Sequence, residues 1–207
     1  QLSRGALLVL ALFVLAYVTY AAKYSPNLHL GLASSLLALA AISPAESNSA
    51  PKKLPLLRVS TDQTHIVTTE GKAFMWIGDT AWELFHRLNR EEAGHYLKRR
   101  AKQGFTLVQA VVLAENDGLR VPNAYGDVPL KDLDPTKPNE AYFKHVDWIV
   151  DEAERRGIYV GLLPTWGDKL YSLHPGAGPI VFNPQNALAF GKFLGRRYRD
   201  KPIIWIL

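Results

Sequence analysis

The chain of 207 residues contains no cysteine, which excludes thiolate nucleophiles, disulfides and cysteine-based zinc sites. It has no run of five or six basic residues, and its formal net charge is only +5, so nucleic-acid binding has no support. The six histidines contain no His-x-x-x-His pair, and metal catalysis is unsupported. Neither G-x-G-x-x-G nor G-x-S-x-G occurs, which removes the usual signs of a dinucleotide loop and of a serine-hydrolase elbow. What is present is ordinary for a globular chain: 48% hydrophobic and 21% charged residues.

That average hides an asymmetry. Residues 5–22 carry no charge and approach the length of a bilayer span; residues 30–42 are apolar but shorter, the length of a signal-peptide core. Ser43-Pro44-Ala45 puts small residues at the two positions a signal peptidase reads, and a polar stretch follows. Residues 1–50 therefore read as a transmembrane or signal segment with a linker, and 51–207 as the folded part. Any membrane contact is expected through the N-terminal segment alone. The chain opens at Gln1, has Met75 as its one methionine and closes on Ile203-Ile204-Trp205-Ile206-Leu207, so it reads as a fragment.

The folded part begins with a hairpin over Arg58-Val59-Ser60 and His65-Ile66-Val67-Thr68. Strands are then expected at 75–78, 105–112, 158–163 and 203–207. Between them lie helices opening at Asn89, Asn139 and Asn183-Pro184, and the first two end at Gly104 and Gly157. Near-continuous apolar strands alternating with helices predict an α/β fold with a parallel sheet. The long loops follow strands and the tight ones follow helices, which favours a (β/α)8 TIM barrel over a doubly wound sheet. Four strands make the first half of such a barrel, preceded by the β-hairpin and the hydrophobic leader.

Residues just past each strand of a barrel face its mouth. Asp79 is either a helix cap or a holder of a sugar hydroxyl, and Trp82 is either a wall for a sugar face or core. Thr80 and Glu83 have capping-box spacing, which favours a structural Glu83. Gln109, an amide among apolar strand residues, needs a partner that is either protein or a substrate hydroxyl. Glu115, Asn116 and Asp117 open a long loop in which Asn123 reads as a turn residue. Trp166-Gly167-Asp168 pairs an indole with a carboxylate, a suitable sugar subsite, though Asp168 as a loop cap is the plainer reading. Acids, amides and tryptophans around a barrel mouth suit carbohydrate hydrolysis, which uses two carboxyl groups.

Longer runs carry a resemblance. Trp76-Ile77-Gly78-Asp79-Thr80-Ala81-Trp82-Glu83-Leu84-Phe85, Tyr142-Phe143-Lys144-His145-Val146-Asp147, Leu162-Leu163-Pro164-Thr165-Trp166-Gly167-Asp168 and Val181-Phe182-Asn183-Pro184 resemble the apiosidase-like glycoside hydrolases. Three further stretches, 96–105, 194–202 and 205–207, join them. The resemblance implies a secreted (β/α)8 enzyme that removes sugars such as apiose from pectin side chains, without metal or cofactor. It implies catalytic carboxylates C-terminal to Leu207, because the family's terminal W-I-L continues into Gly-Gly-Asp. Asp79, Trp82, Gln109, Trp166 and Asp168 match motif positions and are expected to bind an oligo- or polysaccharide substrate. The 207 residues alone are expected to be inactive. The competing expectations are a non-catalytic carbohydrate-binding protein and a membrane-anchored interaction protein.

Overall fold

The computed structural model describes residues 53–115, 117–171 and 178–207. The expected leader, its signal site and Asn116 lie outside the described residues. Among the described residues, no helix is long and apolar enough to cross a membrane.

Strand β1 (Leu57–Val59) pairs antiparallel with β2 (Ile66–Thr68), Arg58 standing opposite Val67. Ala73 adds a bridge to Val67, so the chain folds back once more before entering the main sheet. That sheet holds four parallel strands, β3 (Gly78–Thr80), β4 (Leu107–Leu113), β5 (Tyr159–Thr165) and β6 (Ile203–Trp205), in chain order. Between them run α1 (Leu84–Arg87), α2 (Arg90–Lys102), α3 (Glu140–Arg155) and α4 (Pro184–Arg197). Sequential order is the winding of βα-barrel units; a doubly wound sheet reverses direction at a switch point, and these four strands do not.

The helices start where their side chains satisfy the first backbone N–H groups. Asn89 and Glu92 form a reciprocal capping box on α2, and Asn183 and Asn186 do the same on α4, with Pro184 in the first turn. The Asn139 side chain accepts from the Ala141 N–H at α3. Gly104 (φ +84°) and Gly157 (φ +78°) follow α2 and α3 in the left-handed conformation that turns each chain toward the next strand.

The core lies between sheet and helices. Val108, Ala110 and Val112 of β4 and Val160 and Leu162 of β5 meet Leu97 of α2, Phe143, Val146 and Ile149 of α3, and Phe190 and Leu194 of α4. Alternate strand residues point to the opposite face of the sheet. Thr80, Gln109, Gly161 and Ile204 stand level across the four strands there. A Cβ on Gly161 would come within 2.9 Å of Ile206 Cδ1 and 3.2 Å of Gln109 Cγ, so the glycine lets its neighbours close over the strand.

The first main strand corrects the sequence expectation. It begins at Gly78 rather than at Met75, and Met75, Trp76 and Ile77 are 69%, 43% and 46% exposed. Their apolar character serves a different contact. Trp76 stacks edge-on to Phe74, which meets Tyr159, whose hydroxyl donates to the Pro55 carbonyl (2.6 Å). The segment thus packs across the N-terminal end of β5. The last strand is also shorter than expected, ending at Trp205.

Candidate functional site

The C-terminal ends of β3, β4 and β5 bring the two expected tryptophans together. Beyond β3 the chain stays hydrogen-bonded to β4, with Ala81 N–H donating to Gln109 O and Val111 N–H to Trp82 O. Trp166 N–H donates to Leu113 O on the other side of β4. The indoles of Trp82 and Trp166, both partly exposed, meet with centroids 5.6 Å apart and planes inclined by 51°. Gln109 lies on that opposite face two positions below Val111. Its carboxamide makes no hydrogen bond among the described residues.

Beside Trp82 opens a cleft of about 390 Å³, lined by Asp79, Thr80, Trp82, Glu83, Tyr96 and Glu115 among others. It therefore gathers Asp79 and Trp82 from the expected set, with Trp166 adjoining through its ring contact. Gln109 and Asp168 do not line it.

Two expected carboxylates are engaged by protein groups. Asp79 Oδ2 accepts from the Tyr96 hydroxyl (2.7 Å) and from Arg100 Nε, and Oδ1 accepts from the Thr80 N–H (3.0 Å). Burial raises the Asp79 pKa, but the Tyr96 and Arg100 hydrogen bonds outweigh it and the net shift is downward. Burial, together with the same contact to Asp79, pushes the Tyr96 phenol up to about 12. Asp168 is 6% exposed, and both its oxygens accept from Lys169 Nζ (2.8 and 2.7 Å), an ammonium with no exposure at all. Gly178 N–H also approaches Asp168 Oδ2 (3.3 Å). Each carboxylate holds one part of the scaffold to another: strand β3 to α2, and the turn after β5 to the segment at Gly178.

Glu83 departs from its expected capping role. It precedes α1 with no side-chain cap bond; instead Oε2 accepts from His86 Nδ1 (2.8 Å) and Arg87 Nε (3.3 Å). The other nitrogen of His86 meets the Val121 carbonyl (2.9 Å), tying the loop after β4 to α1. Sequence reasoning did not single out His86; the Glu83-x-x-His86 spacing was the available signal. Asn123 acts as a turn organiser as read, its Oδ1 accepting from the Tyr125 and Asp127 N–H groups. Among the described residues no group of three or more His, Cys, Asp or Glu is placed to hold a metal.

Comparison with known proteins gives this arrangement a family. The model of the apiosidase-like catalytic domain matches residues 60–207. The chain belongs to the apiosidase-like family. Its fold is similar to a glycoside hydrolase family 5 protein from Bacteroides vulgatus ATCC 8482, at 33% identity and TM-score 0.61, covering 72% of this chain and 31% of that one. A second structure described as a glycoside hydrolase matches at 30% identity and TM-score 0.61, covering 73% and 33%. A third structure, from the same Bacteroides strain, shares the fold at 19% identity and TM-score 0.56. The apiosidase-like chain thus spans about a third of the length of these solved structures. No curated protein matches it.

Proposed function

We propose that this apiosidase-like chain belongs to an exported glycoside hydrolase that completes a (β/α)8 barrel and removes sugars from plant cell-wall polysaccharide, pectin side chains in particular. The observation that carries the reading is the Trp82–Trp166 corner at the C-terminal ends of the strands, where barrel enzymes build their sites. The C–H face of a sugar ring is apolar and matches an indole face, whereas its hydroxyls call for nearby acceptors and donors. Gln109 and Glu115 are the polar groups available to such a ring. Asp79 and Asp168 act as positioning residues, because their oxygens are already engaged by Arg100, Tyr96 and Lys169.

Glycoside hydrolysis uses an acid and a second carboxyl group about the glycosidic oxygen. Following the family resemblance, both are assigned beyond Leu207, and the 207 residues bind sugar without hydrolysing it. Isothermal titration of the chain with oligosaccharides from apiose-bearing pectin side chains, against unsubstituted homogalacturonan, tests the substrate class. The reading predicts binding of the first and weaker or no binding of the second. Equal binding of both contradicts the side-chain assignment, and binding of neither contradicts the carbohydrate reading.

A further inference from the structure

In the loop after β4, the turn Asn123–Asp127 is held to two helices through one aromatic side chain. Asn123 Oδ1 accepts from the Tyr125 and Asp127 N–H groups, and Gly126 takes the positive φ (+84°) that closes the turn. Tyr125 then reaches α2, where its hydroxyl accepts from the Arg90 N–H (2.9 Å). That N–H stands in the first turn of α2 and has no carbonyl partner within the helix, so the phenol supplies the acceptor. The Tyr125 ring also meets the imidazole of His145 on α3, with centroids 4.9 Å apart and planes inclined by 61°. The strand that leads into this loop is paired on both sides, by β3 and β5.

The surroundings of His145 suit one charge state. The residue is 2% exposed, and Nε2 faces the Leu88 carbonyl (3.0 Å), which can only accept, so the ring carries its proton there. Nδ1 is buried and has no partner among the described residues. An imidazolium would place a second N–H where nothing accepts it and hold a charge away from water. From α2, Arg90 adds a like charge, and its guanidinium already lies over the Tyr125 ring (5.7 Å). From the loop come Tyr125 and Asp127; Asp127 favours the charge but makes no hydrogen bond to the ring among the described residues. On α1, His86 and Arg87 are engaged by Glu83, and on α3 Asp147 is held by Arg197. Burial is the largest influence and lowers the His145 pKa below its ordinary value, the Leu88 carbonyl recovering only part.

We propose that His145 is an acid-sensitive latch on the loop after β4: the neutral ring holds Tyr125 against α2 and α3, and protonation releases the turn Asn123–Asp127 so that water reaches Nδ1. The device does not depend on the carbohydrate reading. It acts on a strand-to-helix loop, the class from which βα barrels build their mouths. The ring is harder to protonate with the turn in place than in water. The latch is therefore complete above the ordinary imidazole value, about 6.5, and is lost as pH falls through the lower value of the latched ring. Each pH unit between the two values multiplies the released population about tenfold.

Two NMR measurements on the full chain, across about pH 4.5–8, test the latch. One is the titration midpoint of the His145 ring; the other is hydrogen-exchange protection of the Arg90 N–H, corrected for the intrinsic pH dependence of exchange. The expected midpoint lies below about 6.5, and Arg90 opening should rise about tenfold in acid for each unit of that difference. The amides of β4 and β5 should keep their protection over the same range. Tyr125→Ala bares the ring and should move its midpoint up toward the ordinary value. His145→Gln keeps a donor for Leu88 without titrating and should make Arg90 protection independent of pH. A midpoint at or above the ordinary value, or constant Arg90 protection while His145 titrates, overturns the inference. Loss of β4 and β5 protection together with Arg90 also overturns it, because the change would then be global unfolding. The wild-type profile requires no substitution, so a variant that fails to fold does not remove the test.

Discussion

Replacing Asp79 by alanine should loosen the sheet from α2 rather than simply empty a sugar site. The carboxylate accepts three hydrogen bonds, from the Thr80 N–H at 3.0 Å, the Tyr96 hydroxyl at 2.7 Å and Arg100 Nε. Asp79 and Arg100 side chains are 23% and 26% exposed, so the pair is screened less than a surface ion pair and more than a buried one. Hydrogen bonds to charged groups contribute about 1.5–3 kcal/mol each, and discounting for solvent the loss in Asp79→Ala is about 2–3 kcal/mol. Urea unfolding followed by tryptophan fluorescence would show this as a lower midpoint with an unchanged slope. Because the folded pKa of Asp79 is lowered, its contribution is present above its unfolded pKa, about 4, and is lost as pH falls through the folded value. The gap between wild type and variant should therefore close in acid. A loss under 0.5 kcal/mol at pH 7, about the scatter of neutral surface changes, would refute the structural role and return Asp79 to the pocket.

Two further substitutions probe the scaffold under the site. Lys169→Met strands the buried Asp168 carboxylate and should cost about 3–5 kcal/mol in urea unfolding; the double variant Asp168→Leu, Lys169→Met should recover most of it. Tyr142→Phe leaves the buried Val112 carbonyl without its 2.8 Å donor, and a loss of about 1–2 kcal/mol in thermal or urea unfolding is expected.

The parts of the fold that were legible in the sequence are those set by local chemistry. The strands at Leu107–Leu113 and Tyr159–Thr165 read as apolar runs because a parallel strand covered on both faces has no polar side to show. Asn89, Asn139 and Asn183 marked helix starts because a cap acts on N–H groups two or three residues away. The segment Ala73–Ile77 misled because apolar character was read as burial in a strand, whereas Met75, Trp76 and Ile77 are largely exposed and the ring contacts run from Trp76 through Phe74 to Tyr159. The tryptophans were legible as site candidates, since each directly follows a strand. The commitment of Asp79 was not, because its partners Tyr96 and Arg100 lie on the next helix, a full turn of the βα unit away in sequence. His86 escaped notice because only the loop geometry at Val121 shows that both its nitrogens are engaged.

The central claim, that the corner formed by Trp82 and Trp166 receives sugar, is tested most directly by NMR of the five indole N–H signals during titration with apiose-bearing pectic oligosaccharides. Trp76 stacks on Phe74, Trp148 lies under Arg90 and Trp205 sits in β6, so these three serve as internal controls. The account predicts that Trp82 and Trp166 shift together and saturate at one ligand concentration while the other three stay in place. Shifts confined to Trp76, Trp148 or Trp205, or no saturable shift at Trp82 and Trp166, would contradict it.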